Sequence, residues 1–277
     1  MTEQTPDWDR ITIISIVHHS AAVIGQCMEN FRDVPNIVII DNASDDDTLD
    51  IIASTVPQAQ IVHNKHGVGY GNAANQGMEL VKTEFAMMVN PDSIVTGEAV
   101  RTLLAVADTY PEAGIICPQS LNKDGSVELT HDVNLFKRKA ISPPYHRRNH
   151  EPAPQGLVCA EYISGAVNLF RMTILRDVGI FDPNLFLYFE DDDISLRMHA
   201  AGHAAILVAD ARIMHVNAGS VRPSLHYKWE KFWHYGWSRL YIEQKYHGRG
   251  AMLGLALRHA GRFFFKALLY SLVFQEN

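Results

Sequence analysis

The chain has few cysteines, and none of them are spaced as pairs. Cys27, Cys117 and Cys159 give an odd count in 277 residues. This argues against a disulfide framework and fits reduced thiols in a cytoplasmic protein. No zinc-binding pattern of cysteine and histidine is present. With 47% hydrophobic and 20% charged residues, the composition is that of an ordinary globular protein.

Long hydrophobic runs and an excess of cations are also lacking. No stretch reaches about 20 uncharged apolar residues, so no transmembrane helix is expected. The polar, acidic start "MTEQTPDWDR" does not resemble a signal peptide. A net charge of −7 argues against nucleic acid as the main partner, because phosphate binding needs concentrated Lys and Arg.

Short apolar segments alternate with helical patterns in the first half of the chain. Strand-length runs rich in Ile and Val are "ITIISIV" (11–17), "NIVIID" (36–41), "QIVHN" (60–64), "FAMMVN" (85–90) and "GIICP" (114–118). Helical spacing is found at 21–31, 46–55, 71–82 and 96–109. Continuously apolar strands separated by helices are typical of a parallel sheet covered on both faces, so this half is predicted to be α/β.

The second half has a long loop and ends in helical patterns. The segment 137–156 is rich in proline, charge and histidine. It is predicted to be a surface loop near a site or its entrance, or else an ordinary solvated excursion. We predict two domains, one from 1 to 222 and a helical one from 223 to 277.

Two C-terminal helices are predicted, at 225–248 and 251–274. The first is crowded with Trp, Tyr and Lys, and the second is apolar apart from a few cations. Three of these cations recur every four residues and form one stripe: Arg258, Arg262 and Lys266. Such a helix can lie in a membrane interface with its cations toward anionic headgroups. Packing on the domain or in a dimer contact is the alternative.

Three polar residues follow directly on apolar strands. Asp41 and Asp92 come at the carboxyl ends of predicted parallel strands, where ligands collect in open α/β sheets. One or two carboxylates are enough to hold a divalent cation that carries a diphosphate. Turn capping by "DNAS" and a Pro-Asp turn in "NPDS" are the alternatives for the two acids. His215 ends another apolar strand, where a lone histidine is usually a satisfied polar residue.

The glycine pattern in "HGVGYGNAANQG" superficially fits a dinucleotide-binding fingerprint. Gly69, Gly71 and Ala74 match G-x-G-x-x-[G/A], and Asp92 follows further on. However, two strand-helix units precede this supposed first strand, and Asp92 lies in a turn sequence. A dehydrogenase is therefore disfavoured.

Four adjacent acids occur in "LYFEDDDISLRMHAAGH" (187–203). A helix is predicted from about Asp192 to Ala201, and carboxylates at a helix N-terminus are favourable by about 0.3–1 kcal/mol each. Asp193 is four residues before Arg197, so the two can pair on the helix surface. Successive helical residues point about 100° apart, so the four acids cannot all face one ligand. One or two are expected to face a cleft while the others cap the helix.

Together these motifs resemble the family 2 glycosyltransferases with the GT-A fold, in particular bacterial rhamnosyltransferase-like members. The resemblance runs from Ile11 to about His247. Its markers are "IISIVHHSAAVI", "IVIIDNASDDDT", "NKHGVGYGNAANQG", "FAMMVNPDS", "YISGAVNLFRMTILRDVGIFDPNLFLYFEDDDISLRMHAAGH" and "MHVNAGS". It implies a Rossmann-like, mostly parallel central sheet flanked by helices, with a C-terminal helical extension.

The resemblance also implies a nucleotide-sugar donor (a dTDP-, UDP- or GDP-sugar) held across the carboxyl ends of the strands. Asp41 would meet the nucleobase, with Val17 and His18 beside it. Gly69 and Asn75 would belong to the loop and helix near the donor.

The same resemblance assigns the catalytic groups. Asp92 would take the place of the family's metal-binding acid, and His215 would be a second ligand to Mg²⁺ or Mn²⁺. Asp191 falls where the catalytic base lies, although Asp192 stays open as the residue that faces the acceptor.

The implied reaction is an inverting sugar transfer, with L-rhamnose from dTDP-L-rhamnose as the first choice of donor. The acceptor would be a hydroxyl of a glycan or a polyprenyl-diphosphate-linked glycan in cell-surface polysaccharide synthesis. The enzyme would be cytoplasmic and peripheral at the inner face of the membrane, with a homodimer left open. A noncatalytic nucleotide-sugar-binding subunit is one alternative. A sugar nucleotidyltransferase is another, although "VHHSAAVIG" lacks the glycine-rich basic loop of that class.

Overall fold

The computed structural model describes residues 5–132, 136, 152–163, 165–216 and 225–273. The strands are β1 (Ile11–Val17), β2 (Ile37–Asp41), β3 (Gln60–His63), β4 (Phe85–Val89), β5 (Ser93–Ile94), β6 (Ala113–Leu121), β7 (His131–Asp132), β8 (Leu157–Ala160), β9 (Tyr162–Ile163), β10 (Val167–Arg171) and β11 (Ala204–His215). The helices are α1 (Ile24–Glu29), α2 (Thr48–Thr55), α3 (Tyr70–Leu80), α4 (Gly97–Thr109), α5 (Met172–Val178), α6 (Glu190–Ala200) and α7 (Leu225–Val273). The elements predicted in the first half are all present, with ends that differ by a few residues.

The central sheet has the strand order β3-β2-β1-β4-β10-β6-β11-β5, and β8 pairs with β11. Strands β1 to β4 are parallel to one another, and β6 is parallel to β11. Strand β10 runs antiparallel between β4 and β6. The prediction of a mostly parallel α/β sheet is confirmed. Strands β5 and β8 also pair antiparallel with β11. The direction of β10 could not be foreseen, because a strand buried on both faces is continuously apolar in either direction.

Two hydrophobic clusters cover the two faces of this sheet. Strand β1 is buried along its whole length and divides its side chains between them. Ile11 and Ile13 join the cluster that includes α1, α2 and α4, whereas Ile14 and Ile16 join the cluster that includes α3, α5 and α6. The result is a three-layer α/β/α body whose strand ends are free to form a site at one edge.

The turn into α3 packs tightly against a distant segment of the chain. Gly69 has φ 87°, and a Cβ built on it would lie 2.3 Å from the backbone oxygen of Phe186. The backbone N–H of Tyr70 donates a hydrogen bond to that same oxygen at 2.8 Å. Only glycine allows both the left-handed backbone and the close approach.

Helix α7 is interrupted at Gly248, which has φ 85° and ψ 173°. The rings of Phe232 and Phe263, at similar distances before and after this break, lie 5.6 Å apart. The two halves therefore fold back on each other as an antiparallel pair, which we call the C-terminal hairpin (225–273). The two predicted C-terminal helices are confirmed. No helix in the described part of the chain is long and apolar enough to cross a membrane.

Two predictions fall largely outside the described residues. The predicted domain boundary between 222 and 223 lies in the segment 217–224, and most of the predicted loop at 137–156 is also outside.

Gly69→Ala should destabilise the protein by more than about 2 kcal/mol, because alanine adds left-handed strain and a clash with backbone. Gly254→Ala is the matched control: its site is open and helical, so it should stabilise by about 0.5–1 kcal/mol. Urea unfolding of both variants measures the two effects. A Gly69→Ala variant as stable as the wild type would contradict the close packing of the turn on Phe186.

Candidate active site

The carboxyl ends of β1, β2, β4 and β11 lie along one edge of the sheet. Val17 and Asp41 are register partners at the ends of β1 and β2. Asp92 follows β4, and His215 ends β11, where it pairs with Ser93 of β5. The topology thus places the predicted donor and metal residues on a single edge.

Asp41 is completely buried at this edge. Its carboxylate contacts His63 Nδ1 at 2.6 Å and accepts the Ser44 backbone N–H at 3.1 Å. His63 pairs with Asp41 in the β2–β3 register and is half exposed. A ligand that approaches this corner from solvent therefore contacts His63 before Asp41. His63 was not predicted as a site residue, although it ends β3, the strand next to β2.

His18 lies beside this corner and is partly buried. Burial, together with the neighbouring His19, lowers the pKa of His18 below its usual range. Its Nδ1 atom is buried and has no hydrogen-bond partner in the described part of the chain. A neutral imidazole with an unused nitrogen is suited to a polar ligand.

His215 bridges two carboxylates. Its Nε2 lies 3.3 Å from Asp92 Oδ1, and its Nδ1 lies 2.9 Å from Glu128 Oε2. Burial alone would lower the pKa of His215, but Asp92 and Glu128 outweigh it and raise the pKa to about 9. Glu128 was not predicted from sequence, because it comes from the chain beyond β6.

This arrangement fits a divalent cation bound together with a diphosphate, provided that the cation displaces the Nε2 proton of His215. An imidazole nitrogen and a carboxylate oxygen lie side by side, and a second carboxylate orients the histidine from behind, as is common for metal-ligating histidines. No cluster of three or more His, Cys, Asp or Glu suited to a metal was found among the described residues. Phosphate oxygens and water would have to complete the coordination shell.

Tyr70 connects the metal-binding side to the acidic turn. Its hydroxyl donates a hydrogen bond to Asn90 Oδ1 at 3.2 Å. Burial raises the pKa of Tyr70 well above its usual value, and the negative charges of Asp191, Glu190 and Asp92 raise it further. The charges of all three carboxyl groups act on Tyr70, so the predicted base and the predicted metal ligand lie within electrostatic range of one buried hydroxyl.

Gly69 and Asn75 hold the segment that leads into α6. Gly69 packs on the Phe186 backbone, as described above. The Asn75 side chain donates to Phe181 O at 2.8 Å and accepts the Phe181 N–H at 2.9 Å. Because the Asn75 amide is occupied by this backbone contact, its role in the structure is to fix the loop.

The four acids have different surroundings. Helix α6 begins at Glu190, two residues earlier than predicted, so all four lie in its first turn. Asp193 is fully buried, and Asp192 is nearly so. Asp193 forms the expected ion pair with Arg197 at 2.8 Å. Asp191 is the only one of the four that is not buried.

Glu190 is buried next to Asp191. Its Oε2 atom has no hydrogen-bond partner in the described residues. Burial, and secondly the charge of Asp191, raise the pKa of Glu190 to about 8. Burial therefore favours the neutral, protonated form of Glu190 near pH 7.

A model of the family described as "Glycosyl transferase family 2" matches residues 12–177, more than half of the chain. The chain belongs to glycosyltransferase family 2. The resemblance inferred from the sequence motifs is thus confirmed, and the protein is an enzyme of this family.

Curated relatives of this transferase act on different substrates. It is 25% identical over 210 residues to the N-acetylglucosaminyl-diphospho-decaprenol L-rhamnosyltransferase of Mycobacterium tuberculosis, covering 67% of each chain. It is also 25% identical over 174 residues to the poly-beta-1,6-N-acetyl-D-glucosamine synthase of Staphylococcus epidermidis, covering 59% of this chain but only 38% of the synthase.

Solved structures show the same fold at low sequence identity. The mannosyltransferase PcManGT of Pyrobaculum calidifontis, in complex with GDP-Man and Mn²⁺, has a TM-score of 0.55 and 14% identity over 92% of this chain and 67% of its own. GalNAc-T7 with UDP, GalNAc and Mn²⁺ has a TM-score of 0.58 and 14% identity over 77% of this chain and 44% of its own. These neighbours are GT-A glycosyltransferases, which confirms the expected GT-A fold of the transferase.

Glu190→Gln should flatten the dependence of the transferase's stability on pH. Since the pKa of Glu190 is raised in the folded state, its contribution is fully present below about pH 4.5 and is lost as pH rises through about 8. Glutamine cannot ionise, so the variant should gain stability relative to the wild type as pH rises across this window. Thermal unfolding from pH 5 to 9 measures the difference. A difference that does not change with pH would show that Glu190 is not held neutral.

Proposed function

We propose that the protein is an inverting glycosyltransferase that uses Asp191 as its general base. The observation that carries this proposal is that Asp191 is the one acid of its turn that is not buried, and that its charge and that of Asp92 both act on Tyr70. A base must reach the acceptor hydroxyl while the diphosphate lies at the strand ends. The buried positions of Asp192 and Asp193 make them poorer candidates for this contact.

The nucleotide-sugar donor would lie across the ends of β1, β2 and β4. Val17, His18 and Asp41 would flank the nucleobase, with His63 at the exposed side of Asp41. Asp92 and His215 would hold Mg²⁺ or Mn²⁺, which supplies positive charge to a diphosphate leaving group. The relation to structures that contain UDP, GDP-Man and Mn²⁺ supports this class of donor.

In the reaction, Asp191 accepts the proton of the acceptor hydroxyl as its oxygen attacks the anomeric carbon of the donor sugar. The bond from that carbon to the diphosphate oxygen breaks, and its electron pair leaves with the nucleoside diphosphate. Attack on the face opposite the leaving group inverts the anomeric configuration. Tyr70 stays neutral at physiological pH, because its pKa is raised well above its usual value.

L-rhamnose from dTDP-L-rhamnose is our proposed donor, and a polyprenyl-diphosphate-linked glycan is our proposed acceptor. The rhamnosyltransferase of M. tuberculosis, which shares two thirds of its length with this chain, supports both choices. The product would enter cell-surface polysaccharide synthesis. We retain the division into a catalytic domain (1–222) and C-terminal helices (223–277) as part of this proposal.

Asp191→Asn should lower sugar transfer by about 10²- to 10⁴-fold, the usual contribution of a general base. The buried neighbour provides the control, since Asp192→Asn should retain most of the transfer. Nucleoside diphosphate release is measured with dTDP-, UDP- and GDP-sugars, Mg²⁺ or Mn²⁺, and a lipid-linked acceptor extract.

Three other results of this assay would contradict the proposal. Loss of transfer in Asp192→Asn but not in Asp191→Asn would make Asp192 the base. Release of pyrophosphate would indicate a nucleotidyltransferase. Tight donor binding without turnover in the wild type would indicate a noncatalytic subunit.

We further propose that the transferase is peripheral at the inner face of the cell membrane and docks through the C-terminal hairpin. Large apolar side chains are exposed on both halves of the hairpin: Trp229, Phe232, Trp233, Trp237, Leu253, Leu257, Phe263, Phe264 and Phe265. Aromatic rings with solvated cations are the composition of segments that lie in a membrane interface.

The charge of the hairpin favours an anionic lipid surface over a second copy of the chain. Residues 225–273 contain eight Lys and Arg but only two Glu, in a chain whose net charge is −7. Arg258, Arg262 and Lys266 are all exposed. Two copies facing each other through this surface would bring like charges together, whereas acidic headgroups would neutralise them.

Replacing Arg258, Arg262 and Lys266 with Gln should weaken binding to phosphatidylglycerol vesicles roughly hundredfold, at about 1 kcal/mol per cation. Co-sedimentation at low and high salt measures this, with phosphatidylcholine vesicles as the neutral reference. The control removes three exposed cations of the α/β body: Arg32, Lys82 and Lys123. If the wild type forms a dimer in solution and binds neither type of vesicle, membrane docking is contradicted.

A further inference from the structure

We infer that Lys245 and Tyr246 of the C-terminal hairpin are positioning residues for the general base, because they hold the first turn of α6 that carries Asp191. This inference rests on the proposed role of Asp191. It assigns to the hairpin a function in catalysis that is separate from membrane docking.

The residues that precede Asp191 adopt a strained backbone. Tyr188 and Phe189 both have positive φ, 71° and 68°, directly before Glu190. The left-handed region costs a residue with a side chain roughly 1–2 kcal/mol. Two such residues in succession persist only where the surrounding structure dictates them, and such strain is concentrated at functional sites.

The first half of the hairpin provides these surroundings. Ser238 Oγ donates a hydrogen bond to Leu187 O at 2.9 Å. Leu185, Phe189 and Ile242 form a small buried cluster. Aromatic contacts continue it through the pairs Phe186–His234, Tyr188–Tyr235 and Phe189–Tyr235, with ring centroids 4.2, 5.6 and 5.0 Å apart. The strained turn is therefore covered by α7 on one side and by the Gly69 turn on the other.

A buried carboxylate fixes the helical turn itself. Asp193 is fully buried and accepts hydrogen bonds from Arg197 Nε at 2.8 Å, Lys245 Nζ at 2.6 Å and Tyr246 O–H at 2.8 Å. A buried charge is tolerated only when it is paired and hydrogen-bonded. Two of its three donors come from the hairpin, so the hairpin must be docked for Asp193 to be satisfied.

Asp193 and Asp191 belong to the same rigid turn. Asp193 is only two residues after Asp191, so displacement of one moves the other. A misplacement of about 1 Å at a reacting group can cost 10²-fold in rate. Lys245 is also held by Asp182 at 2.6 Å. It thus joins the loop before α6 to the helix and fixes the angle at which the base is presented.

The test compares two tyrosines on the same helix. Tyr246→Phe removes the hydroxyl that contacts Asp193, whereas the control Tyr241→Phe removes a hydroxyl that contacts Asp182 at 2.9 Å and Asn184 at 3.1 Å. We expect Tyr246→Phe to lower kcat roughly 10- to 100-fold with donor KM unchanged, and Tyr241→Phe, which leaves Lys245 paired with both Asp182 and Asp193, to keep most of the wild-type kcat.

Lys245→Met adds a readout that a purely structural role would not move. Loss of its positive charge should shift the acidic limb of the kcat/KM profile to higher pH, because the ionised base is then less stabilised. Lys245→Arg keeps the charge and should keep the wild-type limb. The other titratable or charged groups that face this turn are unchanged in both variants: Tyr70, Asp182, Glu190, Asp192, Asp193 and Arg197.

The results separate this inference from the proposed base. Asp191→Asn, measured in parallel, must show the expected loss of about 10²- to 10⁴-fold in transfer for the inference to stand. If Asp191→Asn loses transfer but Tyr246→Phe has the wild-type kcat, only the positioning role is overturned. The same holds if both tyrosine variants lose kcat in step with a fall in their melting temperatures. Wild-type turnover in Asp191→Asn would overturn the base and the positioning role together.

Discussion

The buried charge of Asp193 is the constraint on which the acid-bearing side of the site depends. Removing a carboxylate from water is costly unless donors replace the lost hydration. Arg197 supplies one donor from the same helix, while Lys245 and Tyr246 supply two from far along the chain. The α/β body and the C-terminal hairpin are therefore joined at the turn that carries Asp191. An apolar contact alone would not define the orientation of this turn so narrowly, because it lacks directional bonds.

The side of the site at the strand ends is organised by the sheet. There the parallel sheet brings strand ends together, so Asp41, Asp92 and His215 reach one edge from elements distant in sequence. Their charges are satisfied locally, by His63 for Asp41 and by the Asp92–His215–Glu128 chain. Tyr70 contacts both sides of the site: its hydroxyl bonds to Asn90, which follows β4, and its backbone N–H bonds to Phe186 O, in the segment before α6. A ligand that bridges the two sides would exchange these internal partners for its own phosphates and hydroxyls.

Sequence patterns predicted the body well because burial on both faces of a parallel sheet leaves long apolar strands, such as β1 and β4, between amphipathic helices. The antiparallel direction of β10 is not visible in its hydrophobic pattern. For the site, strand ends predicted Asp41 and Asp92 at one edge, and the family resemblance assigned Asp92 and His215 to the metal and Asp191 to the base. The partners His63, Glu128, Lys245 and Tyr246 could not be predicted, because strand register and helix docking, which no local pattern encodes, determine those contacts.

Four adjacent acids are tolerated in the first turn of α6 because they do not carry four equivalent charges. Glu190 is kept neutral by burial, and Asp193 is neutralised by two cations. The helix N-terminus favours the remaining negative charge. Protonation of Glu190 also removes one negative charge next to Asp191. The first turn of α6 therefore carries fewer than four negative charges, and Asp191 is the one acid of the four that is not buried.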